Sequence, residues 1–250
     1  MATRQEFVDA MLDLYDNHGV YIGTGNGEET EKLTIGQIAK MEKSYGRKNW
    51  QDDIRRDLTF IGECYAKGYD MSKSRAGDCS GQIVGVLRRL GVIAVNQDYR
   101  AKDFQKLAYH VKFSDLQPGD LVFDTEYENA GHIGVYIGDG CTIDCRGRDL
   151  GVVKQYLDSY KWKGAGRLDW FEGTIPPLSR NLYYRQDDLM KGEDVRQCQE
   201  QLTKKGFTEV GTIDGVFGWN TDNAVRHFQA ANDLQIDGIV GPKTWDKLWK

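Results

Sequence analysis

Apolar residues recur at helical spacing through much of the first ninety positions. Phe7, Met11, Leu12 and Leu14 fit an amphipathic helix near the start. Thr34-Ile35-Gly36-Gln37 reads as a capping box, with Ile35, Ile38 and Met41 following on one face. Asn49 is placed to cap a further helix carrying Trp50, Ile54, Leu58 and Ile61. Ile83, Leu87 and Leu90 line one face of a helix over residues 79–90, with Gly91 as its stop. After Gln117-Pro118-Gly119 the period changes to alternation. Residues 121–123, 133–137, 142–145 and 152–155 read as strands. Helices followed by an antiparallel sheet predict an α+β domain.

Residues 172–180, Glu-Gly-Thr-Ile-Pro-Pro-Leu-Ser-Arg, interrupt every period and mark a boundary. Three short helices are expected beyond it, near 193–205, 221–232 and 242–249. The turns between them are near copies, twenty-three residues apart: Asp214-Gly-Val-Phe-Gly218 and Asp237-Gly-Ile-Val-Gly241. A Thr follows each by three residues, Thr221 and Thr244. Two copies predict a small pseudo-symmetric bundle rather than a solenoid. Its expected core is Val195, Leu202, Val225, Phe228, Trp245 and Leu248. The resulting division is a first domain over 1–172, a linker over 173–185 and a second domain over 186–250.

Composition narrows the choice of function. The 250 residues are 40% hydrophobic and 28% charged, with a formal net charge of −5. No basic patch favours nucleic acid. No apolar run approaches the roughly 20 residues of a membrane span, so no membrane insertion is expected. The first residues lack the charged and apolar regions of a signal peptide. Synthesis in the cytoplasm is therefore expected, with any action outside the cell following release through membrane holes or by another export route. The five scattered cysteines, Cys64, Cys79, Cys141, Cys145 and Cys198, are no disulfide framework. No ligand spacing indicates a metal, and no cofactor is expected.

The chemistry centres on Asp78-Cys79-Ser80-Gly81. Cys79 opens a predicted helix, where the macrodipole favours a thiolate. His132 follows fifty-three residues later in Gly131-His-Ile-Gly-Val135, and Asp144 twelve beyond that. Cys, His and a carboxylate are a nucleophile, its base and the group that orients the base. Register decides the third member. A three-residue loop at Gly138-Asp-Gly140 pairs residues 134 and 144, so that His132 and Asp144 share a face. A two-residue loop brings Cys145 there instead. The carboxylate is preferred, because it can hold an imidazole tautomer.

Asp78–Gly81, then Leu116-Gln-Pro-Gly-Asp-Leu-Val-Phe123, then Gly131-His-Ile-Gly-Val-Tyr-Ile-Gly138, resemble the NlpC family of cell-wall cysteine peptidases. The likeness covers about residues 1–170 and is strongest from residue 78. It implies a papain-like α+β fold, helices packed on an antiparallel sheet, with Cys79, His132 and Asp144 as catalytic residues. Many members carry His where this chain has Asp144. Tyr21, in the loop Tyr21-Ile-Gly-Thr-Gly25, is the nearest equivalent of a Tyr that lines the family's site, although a long helical stretch separates it from Cys79. Asp78 and Ser80 fall where the family contacts substrate, and helix capping is the alternative role for both.

Residues 186–250 resemble the three-helix peptidoglycan-binding domain, a small all-α bundle. Trp219, Asp214 and Asp237 are its candidate wall contacts. The two resemblances imply a phage endolysin-like peptidoglycan hydrolase that cuts stem peptides, commonly between D-glutamyl and a diamino acid, with bacterial peptidoglycan as partner. The alternatives are an N-acetylmuramoyl-L-alanine amidase and a non-catalytic wall-binding or virion structural protein.

Overall fold

In the computed structural model, which describes residues 2–172, 175–176 and 178–249, the chain forms two compact units, Met1–Glu172 and Gly173–Lys250. The first begins with α1 (Arg4–Asp16), opened by a reciprocal capping box between Thr3 and Glu6. Phe7, Val8, Met11 and Leu14 are its buried face. Strand β1 (Asn26–Glu29) pairs antiparallel with β2 (Arg75–Gly77). Between them lie α2 (Ile35–Tyr45) and α3 (Trp50–Ala66). Thr34 and Gln37 close the capping box at the start of α2.

Helix α3 packs Ile54, Leu58 and Ile61 against a small second core that includes Ile38, Cys64 and Met71, and beside that face it buries acids. Asn49 makes no side-chain cap bond, and Trp50, Ile54, Leu58 and Ile61 are only half-buried. The buried positions are Asp53, Asp57 and Cys64. Ile35 of α2 is likewise exposed rather than part of an apolar face. The acids are buried because a cation meets them there: Arg148 Nε lies 3.2 Å from Asp57 and 3.5 Å from Asp53, and its guanidinium also bonds Glu42. An opposite charge offsets part of the cost of burying these acids.

Helix α4 (Cys79–Arg89) runs through the centre of the first core, and Gly91, at φ 67°, takes the left-handed conformation just beyond its end. A helix absent from the sequence reading, α5 (Ala101–Leu107), follows. Then come β3 (Tyr109–His110), β4 (Leu121–Phe123), β5 (Ile133–Gly138), β6 (Cys141–Cys145), β7 (Val152–Tyr156) and β8 (Gly164–Arg167). They form one antiparallel sheet in the order β3-β8-β4-β5-β6-β7. Helices α1 and α4 cover it, with Phe7, Ile83, Leu87, Phe123, Val135 and Ile143 in the shared core. This is the α+β papain-like arrangement.

The second unit is a bundle of α6 (Glu193–Lys204), α7 (Trp219–Ala231) and α8 (Pro242–Trp249). All six expected core residues are buried in it. Of the residues expected to link the units, Gly173, Thr174 and Pro177 lie outside the described residues. Most of the remainder is no free linker. Leu182 is fully buried in the bundle core and pairs with Val240, and Ile175, Leu178 and Tyr184 pack beside it. The internal repeat has a common mechanism. Gln199 donates to Asp214, the Val216 carbonyl and Thr221, and accepts from Gly215 N–H. Gln229 does the same with Asp237, the Ile239 carbonyl, Thr244 and Gly238 N–H.

Candidate active site

Cys79 is the first residue of α4. Asp78 caps the helix, its Oδ1 accepting from the backbone N–H groups of Ser80 at 3.1 Å and Gly81 at 2.8 Å. Gly81 is required by packing rather than by turn geometry: a Cβ there would lie 1.7 Å from the Gly25 carbonyl oxygen. The glycine-rich loop before β1 thus presses its backbone onto the first turn of α4. Ser80 Oγ donates to Asp78 Oδ1 at 3.0 Å. Asp78 is therefore the helix cap and Ser80 supports it, and both line a cavity of about 480 Å³ with Cys79, Asp98 and Tyr99.

The Cys79 thiol is subject to opposing influences. Burial, aided by the Asp78 carboxylate, pushes it up to about 12, while the backbone N–H groups of Ile133, Ser80 and Cys79 itself favour the anion. Cys79 Sγ lies 4.0 Å from the Gly131 carbonyl oxygen. The sulfur is thus set against the residues that flank His132 on both sides.

His132 directly precedes β5. Its Nε2 lies 2.8 Å from Asp144 Oδ2, which fixes the ring and leaves Nδ1 for another partner. The ring stacks on Trp162, centroids 5.5 Å apart and 8° from parallel, and Tyr160 lies 5.3 Å away. The β5–β6 register pairs Gly134 with Asp144 as expected, but not through a three-residue loop: Gly138 pairs with Cys141 across the two-residue turn Asp139-Gly140, and a bulge between Tyr136 and Gly138 shifts the register by one. A Cβ on Gly134 would meet the Trp162 ring at 3.0 Å and Asp144 Cβ at 3.1 Å, so only glycine leaves this contact open.

Asp144 is buried and accepts more than the histidine. Arg146 donates to it through Nε at 3.1 Å and Nη2 at 3.2 Å, and Gln155 through Nε2 at 3.0 Å. Arg146 also bonds Gln155 Oε1 at 2.5 Å and lies 4.4 Å above the Tyr160 ring. Sequence reasoning missed Arg146, Gln155, Tyr160 and Trp162. The β6–β7 register carries the signal for Gln155: Val153 faces Asp144, so Gln155 is its diagonal neighbour on the same face.

Tyr21 is brought to this end of the unit. Its hydroxyl lies 3.1 Å from that of Tyr45, the Arg148 guanidinium sits 5.0 Å over its ring, and it lines a pocket with His132. Burial raises its phenol well above the ordinary value. The structure therefore gathers Cys79, His132, Asp144, Tyr21, Asp78 and Ser80 in one region of the first unit. The other three candidates belong to the second unit. Asp214 and Asp237 each use Oδ1 to accept from a glutamine amide and from a turn N–H, of Val216 and Ile239 respectively. These bonds make them turn-holding residues. Trp219 is the first residue of α7, not part of a turn, and is 61% exposed, with its ring edge against Tyr184.

Residues 62–167 match the NlpC/P60 family, and residues 191–248 match a peptidoglycan binding domain. The spore cortex-lytic enzyme of Oceanobacillus iheyensis is 51% identical over 57 residues, covering 23% of this chain and 20% of that protein. The N-acetylmuramoyl-L-alanine amidase CwlL of Bacillus licheniformis is 44% identical over 81 residues, 30% of this chain and 22% of that protein. The chain thus spans about a fifth of the length of the curated relatives it matches. Among solved structures, the NlpC/p60 domain of the peptidoglycan hydrolase SagA aligns over 45% of this chain and 98% of that one, at 18% identity and a TM-score of 0.33.

Proposed function

We propose that this chain, whose residues 62–167 match the NlpC/P60 family and whose residues 191–248 match a peptidoglycan-binding domain, is a cysteine hydrolase of peptidoglycan stem peptides. The bond it cuts in this reading joins D-glutamyl to a diamino acid. The observation that carries the reading is the His132–Asp144 contact of 2.8 Å, beside a cysteine at the N-terminus of a helix.

The chemistry follows from the groups present. The Cys79 proton passes to His132, and the thiolate attacks the scissile carbonyl carbon. Asp78 occupies the N–H groups of Ser80 and Gly81, which leaves the Cys79 N–H of the first turn to meet the developing oxyanion. Collapse breaks the C–N bond, and His132 returns its proton to the leaving amine. Water, deprotonated by His132, then cleaves the thioester and restores the thiol. Asp144 holds the imidazole and balances its positive charge in both halves. In the second unit, the exposed Trp219 is the proposed wall contact. Cys64, Cys79, Cys141, Cys145 and Cys198 are all free thiols, which suits synthesis in a reducing compartment before the enzyme reaches the wall at lysis.

Mass spectrometry of fragments released from purified peptidoglycan by wild-type protein and Cys79→Ala tests this. New stem-peptide termini that vanish in the variant are expected. Freed L-alanine amino groups on intact stems would make the protein an amidase. Retained wall binding with no Cys79-dependent fragment would make it a binding protein.

A further inference from the structure

A pocket of about 270 Å³ opens beside the catalytic imidazole, and its wall holds four arginines, Arg47, Arg56, Arg146 and Arg148, together with Tyr21 and His132. No carboxylate lines it. The acids that partner these arginines lie elsewhere. Asp144 is behind Arg146, and Glu42, Asp53 and Asp57 are buried behind Arg148. Asp149 holds Arg56 through Nε and Nη2. These pairings fix the guanidinium groups in position before any ligand arrives, the arrangement that costs least on binding. Arg47 is the least committed: it is half-exposed, and its Nε contacts Asp53 only at 3.7 Å.

We propose that this pocket is an anion subsite that takes a carboxylate of the substrate residue next to the scissile bond. The proposal rests on the hydrolase reading above and deepens it. Planar guanidinium groups match carboxylates through paired hydrogen bonds, and a wall of four of them next to His132 has no use for an apolar or cationic side chain. Two carboxylates of a stem peptide flank the glutamyl–diamino acid bond: the glutamyl α-carboxylate and a carboxylate of the diamino acid. Arg47 and Arg56 come from the α2–α3 region, so this part of the chain supplies selectivity while α4 and the sheet supply the chemistry.

Three synthetic stem tripeptides test the assignment in the full-length protein. One carries both carboxylates free, one has the glutamyl α-carboxylate amidated, and one has the diamino-acid carboxylate amidated. Wild-type protein is expected to lose about 30-fold in kcat/KM on one of the two amidated peptides, which identifies the carboxylate that is read. In Arg47→Gln/Arg56→Gln the ratio of free to amidated peptide is expected to fall to near 1. Both positions are surface-exposed, so the fold tolerates the change. Cys79-dependent cleavage of all three peptides at equal rates would overturn the subsite and leave the hydrolase reading standing, as would a ratio that survives in the double variant. Absence of cleavage of any peptide would instead count against the hydrolase. Calorimetric titration of Cys79→Ser protein with the same peptides then decides the pocket. Binding of the free peptide about tenfold tighter than one amidated form sustains it, and equal or absent binding overturns it.

Discussion

The Cys79 thiol is held neutral by burial and by Asp78, up to about 12, against three backbone N–H groups that favour its anion. A thiol of that acidity is almost wholly protonated at pH 7, and only the anion is a competent nucleophile. The anion therefore has to form within the reaction, as the proton moves to His132 and Asp144 meets the resulting charge. The sign of the shift gives a test. With His132 in place, iodoacetamide alkylation of Cys79 is expected to keep rising with pH above 8, because the raised thiol still holds its proton at neutral pH. In His132→Ala, without a base to take the proton, it is expected to slow on the order of 100-fold at pH 7 and to climb through pH 10 without a plateau. Mass spectrometry of the Cys79 peptide reads both rates. A plateau below pH 8 in the variant would mean that the helix terminus and the Ile133 N–H suffice to form the anion.

Helix α3 shows what a buried charge does for an element. Burial first, and Glu42 second, push the Asp57 carboxyl up to about 8. The folded state therefore keeps a proton on Asp57 over a range where the unfolded chain, titrating near 4, has released it. Its contribution to stability is fully present below the unfolded value and is lost as pH rises to about 8. Asp57→Asn keeps the shape of the protonated form and does not ionise. Wild-type protein is expected to melt progressively lower from pH 5 to pH 8, and the variant a few degrees higher than wild type at pH 8. Differential scanning calorimetry of the pair checks this, and parallel pH profiles would refute it. The same helix explains why the sequence is only partly legible. Its apolar period predicts a helix but not its buried acids, because their partner Arg148 lies ninety-one positions beyond Asp57 and no local pattern announces it. The β5–β6 hairpin is the opposite case. Alternation and a glycine turn announce the hairpin from sequence, and a two-residue turn with a bulge between Tyr136 and Gly138 then brings His132 to Asp144. Strand β8, Gly164-Ala-Gly-Arg167, has no alternation to read, because small residues let neighbours approach: a Cβ on Gly166 would lie 2.7 Å from that of Ala108.

At the scale of the molecule, each unit has its own hydrophobic core. Phe7, Ile83, Leu87 and Val135 belong to one, and Leu182, Val195, Phe228 and Leu248 to the other. The bundle was legible because its repeat is local: each Asp-Gly turn lies within seventeen residues of the glutamine that organises it. Its edge was not, because Leu182 reaches the core through a single pairing with Val240 from a stretch whose two prolines and one glycine read as a connector. A unit of 172 residues is large enough to bury a stable core alone, so the first unit is expected to fold without the second. Tethering a hydrolase to a polymer it attacks raises its local concentration without adding a contact at the active site. A chain ending at residue 172 should therefore cut a soluble stem peptide at the rate of the whole protein, yet lose about 100-fold or more on insoluble peptidoglycan at low enzyme concentration. Paired assays on the two substrates separate the possibilities. Equal activity on the insoluble wall would remove the anchoring role from the second unit. Loss on both substrates would mean that the first unit depends on the second for its folded state, and thermal melting of the shortened chain would show it directly.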